Sequence, residues 1–232
     1  MTVPDIGFIE DAPRRIAYRR RPGASPTIVF LSGYGSNMEG TKAVILDGFA
    51  AGRGQALLRF DYSGTGSSPG NFQDGNLATW LEDSLAAIDG LTQGPVVLVA
   101  SSMGAWIGLH VAAQRPERVR AFIGIAAAPD FTDWGFSKKQ KAEAADFMPH
   151  FFRAGEQLAL LRDEIAVDCP VRLLHGDQDR EVPYDIAMRT MARVRSADVQ
   201  LNLIKGGGHR LTEPHEIAAI LRAISEFLEP AA

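Results

Sequence analysis

Six short apolar runs recur along the chain, and longer amphipathic stretches separate most of them. TIVFLSG (27–33), ALLRFDY (56–62), PVVLVAS (95–101), VRAFIGIA (119–126), VRLLHG (171–176) and VQLNLIK (199–205) are too short for helices and too continuously apolar for loops. Such runs read as strands buried on both faces of a sheet. LATWLEDSLAAIDGL (77–91), MGAWIGLHVAAQ (103–114), YDIAMRTMARV (184–194) and EPHEIAAILRAISEFL (213–228) carry the 3.6-residue spacing of helices. Strands joined through helices imply a mostly parallel sheet with helices on both faces. IGFIE and RRIAYRR, near the start, are expected to add an antiparallel pair at one sheet edge, giving eight strands. The five arginines Arg14, Arg15, Arg19, Arg20 and Arg21 fit a solvated edge strand, where charge discourages aggregation.

One segment interrupts the alternation. Residues 128–168 separate two strands and contain Phe131, Trp134, Phe136, Phe147, Phe151 and Phe152 around a polar, helix-forming middle, SKKQKAEAADF. Long insertions in compact domains are commonly lids over binding sites. The expectation is a single α/β domain over residues 1–232 with a short lid at about 128–168. Trp134, Phe136, Phe147 and Phe151 are the candidates to wall an apolar substrate pocket.

The run VLVASSMGAW (97–106) raises a chemical question, because a buried strand ends in two serines and then turns into a helix. In A-S-S-M-G (100–104), only Ser102 has small residues both two before and two after it. An abrupt strand-to-helix turn exposes its central side chain and crowds those flanking positions. Ser102 is therefore the candidate nucleophile, with the Met103 N–H facing a developing oxyanion. A serine needs a base and an orienting acid. GGGHR (206–210) offers His209 after the last strand, and HGDQDREVP (175–183) offers Asp177 and Asp179 after another. Asp179 lies further from the strand end, where a loop can fold back, whereas Asp177 suits a turn-fixing role. Asp130, at the root of the insertion, is a third candidate acid. The order Ser102, Asp179, His209 is that of a nucleophile-elbow triad. SGYGS (32–36) supplies the Tyr34 N–H as the second oxyanion donor.

The glycine-rich stretches are not dinucleotide sites. G-Y-G-S-N-M lacks the third glycine of GxGxxG, and GTGSSPG (64–70) does not open a helix. His175 and Asp177 lack further ligands at zinc spacing. The chemistry needs no metal and no organic cofactor.

RFDYSGTGSS, ASSMGAW and RLLHGDQDREVP resemble the α/β-hydrolase superfamily. More narrowly they are similar to its mammalian mitochondrial branch of palmitoyl-protein thioesterases and acyl-glucuronide esterases. The resemblance runs from roughly Thr27 to Leu228 and implies an α/β-hydrolase fold. It also implies Ser102, Asp179 and His209 as catalytic residues, Tyr34 and Met103 as oxyanion donors, and Asp61 as a structural residue beside the pocket. Ala100 stands where many relatives have the first elbow glycine, and the insertion matches the family least. The expected activity is hydrolysis of a small-molecule ester or acyl thioester through an acyl-enzyme. The alternatives are a carbon–carbon bond hydrolase of the same fold and a ligand-binding protein without turnover.

The bulk properties narrow the partners. A net charge of −4 over 232 residues gives no reason to expect nucleic acid. No apolar run approaches the roughly 20 residues that span a bilayer, so no membrane span is expected. The single cysteine, Cys169, excludes an internal disulfide and reads as an inert packing residue. MTVPDIGFIEDA lacks a basic start and an apolar core, and nothing in it resembles a mitochondrial transit peptide. The cytoplasm of a bacterial relative is the expectation.

Overall fold

The computed structural model describes residues 3–10, 14–145, 147, 148 and 150–228. Residues 146 and 149 of the insertion lie outside the described residues, as do Met1 and Thr2 of the N-terminal stretch. The strands are β1 (Gly7–Ile9), β2 (Ile16–Arg21), β3 (Ala24–Leu31), β4 (Gln55–Phe60), β5 (Val96–Ser101), β6 (Val119–Ile125), β7 (Val171–Gly176) and β8 (Val199–Ile204). They form one eight-stranded sheet in the order β1-β2-β4-β3-β5-β6-β7-β8. Among the described residues only the β1–β2 and β2–β4 ladders are antiparallel. The chain reverses its direction of travel across the sheet at β3, which lies between β4 and β5. Ligands in open α/β sheets bind outside the carboxyl ends of strands at such a switch point.

The two-residue period of a strand divides the core. Val29, Leu31, Leu98 and Ala100 point to one face, where they meet Trp80, Ala87 and Ile88 of α2 (Leu77–Leu91) and Trp106 and Leu109 of α3 (Met103–Gln114). Ile28, Phe30, Val97 and Val99 point to the other, against Leu46 and Ala50 of α1 (Thr41–Arg53) and Ile220 and Ile224 of α8 (Pro214–Ser225). Burial on both faces explains why β3 to β7 read as unbroken apolar runs. β8 departs from that reading: it is the outer strand, and its Leu203 is 43% exposed. The helix spans agree closely with the sequence periodicity, α2 and α3 to the residue.

α1 has no counterpart in the sequence reading. Its apolar quartet AVIL resembles a strand, and Gly48 and Gly52 dilute its helical pattern. The arginine-rich strand also differs from expectation. β1 covers β2, so the outer position falls to three residues, and the arginines are tied down. Arg14 pairs with buried Asp83 at 2.8 Å, Arg15 with Glu10 at 2.9 Å, and Arg21 bridges both carboxylate oxygens of Asp47 at 2.8 and 3.0 Å. Arg19 pairs with Glu39, and Arg20 donates to the Leu91 carbonyl at 3.2 Å. These cations serve the fold.

The segment between β6 and β7 folds into α4 (Phe131–Trp134), α5 (Lys138–Ala145) and α6 (Phe151–Gln157); α7 (Tyr184–Arg193) follows β7. Asp130 closes the base of this segment. Its carboxylate accepts from the N–H groups of Leu160 and Leu161, both at 2.8 Å, joining the two roots of the insertion. From below, Trp106 Nε1 and His110 Nε2 both donate to the Leu158 carbonyl at 2.8 and 2.9 Å. Burial pushes the Asp130 carboxyl above its ordinary range, against the pull of the two N–H donors. This candidate acid is thereby committed to structure.

Candidate active site

Ser102 occupies the step from β5 into α3 with φ 53° and ψ −120°. An L-residue in this sparsely populated conformation costs on the order of 1–3 kcal/mol and is held there by its surroundings. Those surroundings are visible. A Cβ on Gly104 would fall 2.4 Å from the Leu31 carbonyl oxygen, and one on Gly33 would fall 3.2 Å from Ser102 Cβ. The tip of β5 is therefore pressed against the end of β3. Although Ser102 stands at the N-cap position of α3, its hydroxyl caps nothing.

That crowding makes one substitution severe. Gly104→Ala places a methyl group against backbone oxygen that no rotamer change relieves. We expect a loss of about 3 kcal/mol, a fall in Tm of roughly 6–12 °C. Thermal unfolding of the variant checks this, and an unchanged Tm would refute the tight turn.

The hydroxyl instead faces an imidazole. Ser102 Oγ lies 3.1 Å from His209 Nε2, and His209 Nδ1 lies 2.8 Å from Asp179 Oδ2. Because a carboxylate only accepts, Nδ1 carries the hydrogen and Nε2 is left to accept from the serine. Two loop-to-loop bonds bring these groups together. Gln178 N–H donates to the Gly207 carbonyl at 2.9 Å, and Gly206 N–H donates to Asp177 Oδ1 at 2.6 Å. Asp177 thus fixes the turn, and Asp179 reaches the histidine.

Both oxygens of Asp179 are occupied. Oδ1 accepts from the N–H groups of Glu181 and Val182, each at 2.9 Å. On the other oxygen a second histidine joins His209: His175 Nε2 is 3.3 Å from Oδ2 and donates to the Val182 carbonyl at 2.9 Å. Burial alone would raise the Asp179 carboxyl. Hydrogen bonds from His175, His209 and the Val182 N–H outweigh it and hold the group well below the usual carboxylate range. His175 is the residue that sequence reasoning missed. Its ring is fully buried with Nδ1 unpartnered. In the sequence it is weighed only with Asp177 as a metal ligand and set aside, whereas the loop 177–182 curls back and lays the Asp179 carboxylate on the ring.

Ser102 and His209 border a cavity of about 560 Å³. Phe131, Trp134 and Phe136 form one wall, and Lys42, Arg210 and Thr212 contribute to another. Tyr34 and Met103 line the floor with Ser102, and neither N–H is spent on a backbone carbonyl outside regular structure among the described residues. The Tyr34 ring packs on Phe72 and Phe151, with centroids at 5.2 and 5.5 Å, and its hydroxyl donates to Met148 Sδ at 3.3 Å.

Two of the four expected pocket aromatics lie elsewhere. Phe147 is 65% exposed, on the outer surface of the insertion. Phe151 is buried beneath Tyr34, among Trp80, Phe131 and Phe152, and packs the insertion against α2. Phe131, which was not singled out for the pocket, takes a place on the wall. Asp61 accepts from the Met38 and Ser67 N–H groups at 2.6 and 2.7 Å, shaping the loops at the ends of β3 and β4. Burial pushes the Cys169 thiol up to about 11.

A sheet of this order with a strained serine at the tip of β5 is the architecture of the α/β hydrolases. The family model described as alpha/beta hydrolase fold matches residues 26–153, and the chain belongs to that family and is a hydrolase. Among curated relatives, human "Palmitoyl-protein thioesterase ABHD10, mitochondrial" is 38% identical over 92% of this chain and 76% of its own length. The cattle protein of the same name is 37% identical over 97% and 80%. Mouse alpha/beta hydrolase domain-containing protein 10 superposes with a TM-score of 0.88 at 36% identity, covering 96% of this chain and 97% of its own. A putative hydrolase from Agrobacterium vitis S4 gives a TM-score of 0.90 at 32% identity, covering 99% and 100%. The relatives correct one expectation: those at 37–38% identity are named as mitochondrial proteins, so the cytoplasmic placement does not stand. No helix among the described residues is long and apolar enough to cross a membrane.

Proposed function

We propose that the protein is a serine hydrolase that cleaves acyl thioesters and carboxylic esters through an acyl-enzyme. The observation carrying this reading is the unbroken hydrogen-bond relay from Ser102 through His209 to Asp179, facing a cavity of substrate size. His209 takes the Ser102 proton as Oγ attacks the carbonyl carbon. Asp179, kept ionised by its donors, stabilises the imidazolium and fixes its tautomer. The Met103 and Tyr34 N–H groups receive the developing oxyanion. His209 then protonates the departing sulfur or oxygen, and a water activated by the same imidazole releases the acid. His175 acts through Asp179 as a positioning residue. In this reading the chain is one domain, and the insertion between β6 and β7 is its lid.

The aromatic wall of Phe131, Trp134 and Phe136 favours an apolar acyl group. The relatives named as palmitoyl-protein thioesterases support a thioester among the substrates. Parallel series of p-nitrophenyl esters and acyl thioesters from C2 to C16 test this. Expected is a kcat/KM that climbs from acetyl to medium or long chains by at least about tenfold, since each buried methylene contributes about 0.8 kcal/mol. A sharp acetyl optimum would rule out the apolar acyl site.

A further inference from the structure

We propose that Glu181 holds the water that attacks the acyl-enzyme and thereby favours hydrolysis over transfer of the acyl group to alcohols. This inference rests on the acyl-transfer reading above and adds a residue to its second half.

Glu181 is the one acidic side chain among the described residues that line the cavity. Its carboxylate lies 3.8 Å from His209 Nε2, the nitrogen that protonates the leaving group and then takes a proton from water. Among the described residues, His209 is the only basic side chain within ion-pair distance of it. The side chain is 71% exposed, but its stem is fixed. The Glu181 N–H donates to Asp179 Oδ1 at 2.9 Å, and the Val182 N–H does the same from the next position. Val182 is buried, and its carbonyl accepts from His175. The carboxylate that orients His209 therefore also sets where Glu181 stands beside it.

The distance defines what this pair can hold. At 3.8 Å a direct hydrogen bond does not form. A water that donates one hydrogen to each group at about 2.8 Å spans about 4.4 Å, and small torsional changes of an exposed side chain supply the difference. One O–H then points to Nε2 and the other to Glu181, which leaves the oxygen lone pairs for the acyl carbon on Ser102. In the step, the first O–H bond breaks as its proton passes to Nε2, and the oxygen bonds the acyl carbon. Glu181 stays ionised and keeps the second hydrogen bond. The tetrahedral intermediate then collapses, breaking the bond to Ser102 Oγ, which takes the proton from Nε2. An alcohol has only one O–H to give. Once that hydrogen faces Nε2, its alkyl group lies against the carboxylate, which loses a bond and part of its solvation. Water satisfies both groups.

The test reads how one acyl-enzyme divides between two acceptors. Wild type, Glu181→Gln and Glu181→Ala are given p-nitrophenyl decanoate at a fixed methanol concentration, and decanoic acid and methyl decanoate are quantified above an enzyme-free blank. The acid-to-ester ratio is independent of the amount of folded enzyme. Any general effect of the lost charge on the imidazolium is common to both acceptors and cancels. Expected is a ratio that falls about tenfold in Glu181→Ala, in line with a hydrogen bond to a charged acceptor. Glu181→Gln, whose amide oxygen still accepts, is expected between the two. A Glu181→Ala ratio within twofold of wild type, or a Glu181→Gln ratio below that of Glu181→Ala, would overturn the role. Failure of wild type to release p-nitrophenolate, with Ser102 unlabelled by a fluorophosphonate, would instead sink the acyl-enzyme reading beneath it.

Discussion

Ser102→Ala is expected to abolish covalent labelling by a fluorophosphonate and to lower kcat by on the order of 10⁵–10⁶-fold. The loss is that large because in the proposed mechanism the serine oxygen forms the covalent intermediate, so no neighbouring group takes over its step. The fold should survive. The hydroxyl caps no helix, and among the described residues its only hydrogen bond is to His209 at 3.1 Å, so Tm should move by no more than a few degrees. Active-site labelling, steady-state turnover and thermal unfolding on one preparation make the comparison. Retained labelling would remove Ser102 from the reaction, and a collapse in Tm would make the serine a structural residue.

The second large effect separates two aspartates only two positions apart. Asp179→Asn is expected to cost about 10⁴-fold in kcat near neutral pH, because the amide no longer compensates the imidazolium and misdirects the His209 tautomer. Asp177→Asn keeps an oxygen to accept from the Gly206 N–H and should change kcat by no more than about threefold. The reverse order of effects would transfer the role of the acid to Asp177. The pH dependence adds a sign. Since its hydrogen bonds hold Asp179 well below the ordinary carboxylate range, it is charged throughout the working range of the wild type. An Asp179 carboxyl carbon whose NMR shift titrates near pH 4, where an unperturbed aspartate does, would contradict that assignment.

Much of this geometry was legible in the sequence because it follows from steric necessity. The small residues flanking Ser102 are demanded by the approach of β3 to β5, as Gly104 shows with its 2.4 Å clearance to Leu31 oxygen. Burial on both faces makes the central strands continuous apolar runs, and their order then places each chemical residue at a carboxyl end. The helix spans of α2 and α3 carry an unambiguous period.

What escaped depends on contacts between segments distant along the chain. α1 was hidden because glycines inside a helix and a strand-like quartet both argue against a helix locally, whereas packing of Leu46 and Ala50 on the sheet decides for it. Aromatic content marks the insertion without saying which rings face the cavity. Phe151 went to the core from the start of a helix of only seven residues, over which no period is established, and Phe147 lies exposed in the turn before it. The position of His175 against Asp179 follows from the return of the loop 177–182, which local sequence does not encode.

The carboxylate of Asp130 fastens the beginning of the insertion to its end. Whatever lies between these roots, the sheet sees the same two attachment points. The segment can therefore be exchanged, lengthened or rebuilt through evolution or by a protein engineer while the strands beneath keep their register. Appetite for new substrates can drift without renegotiating the bond-breaking apparatus.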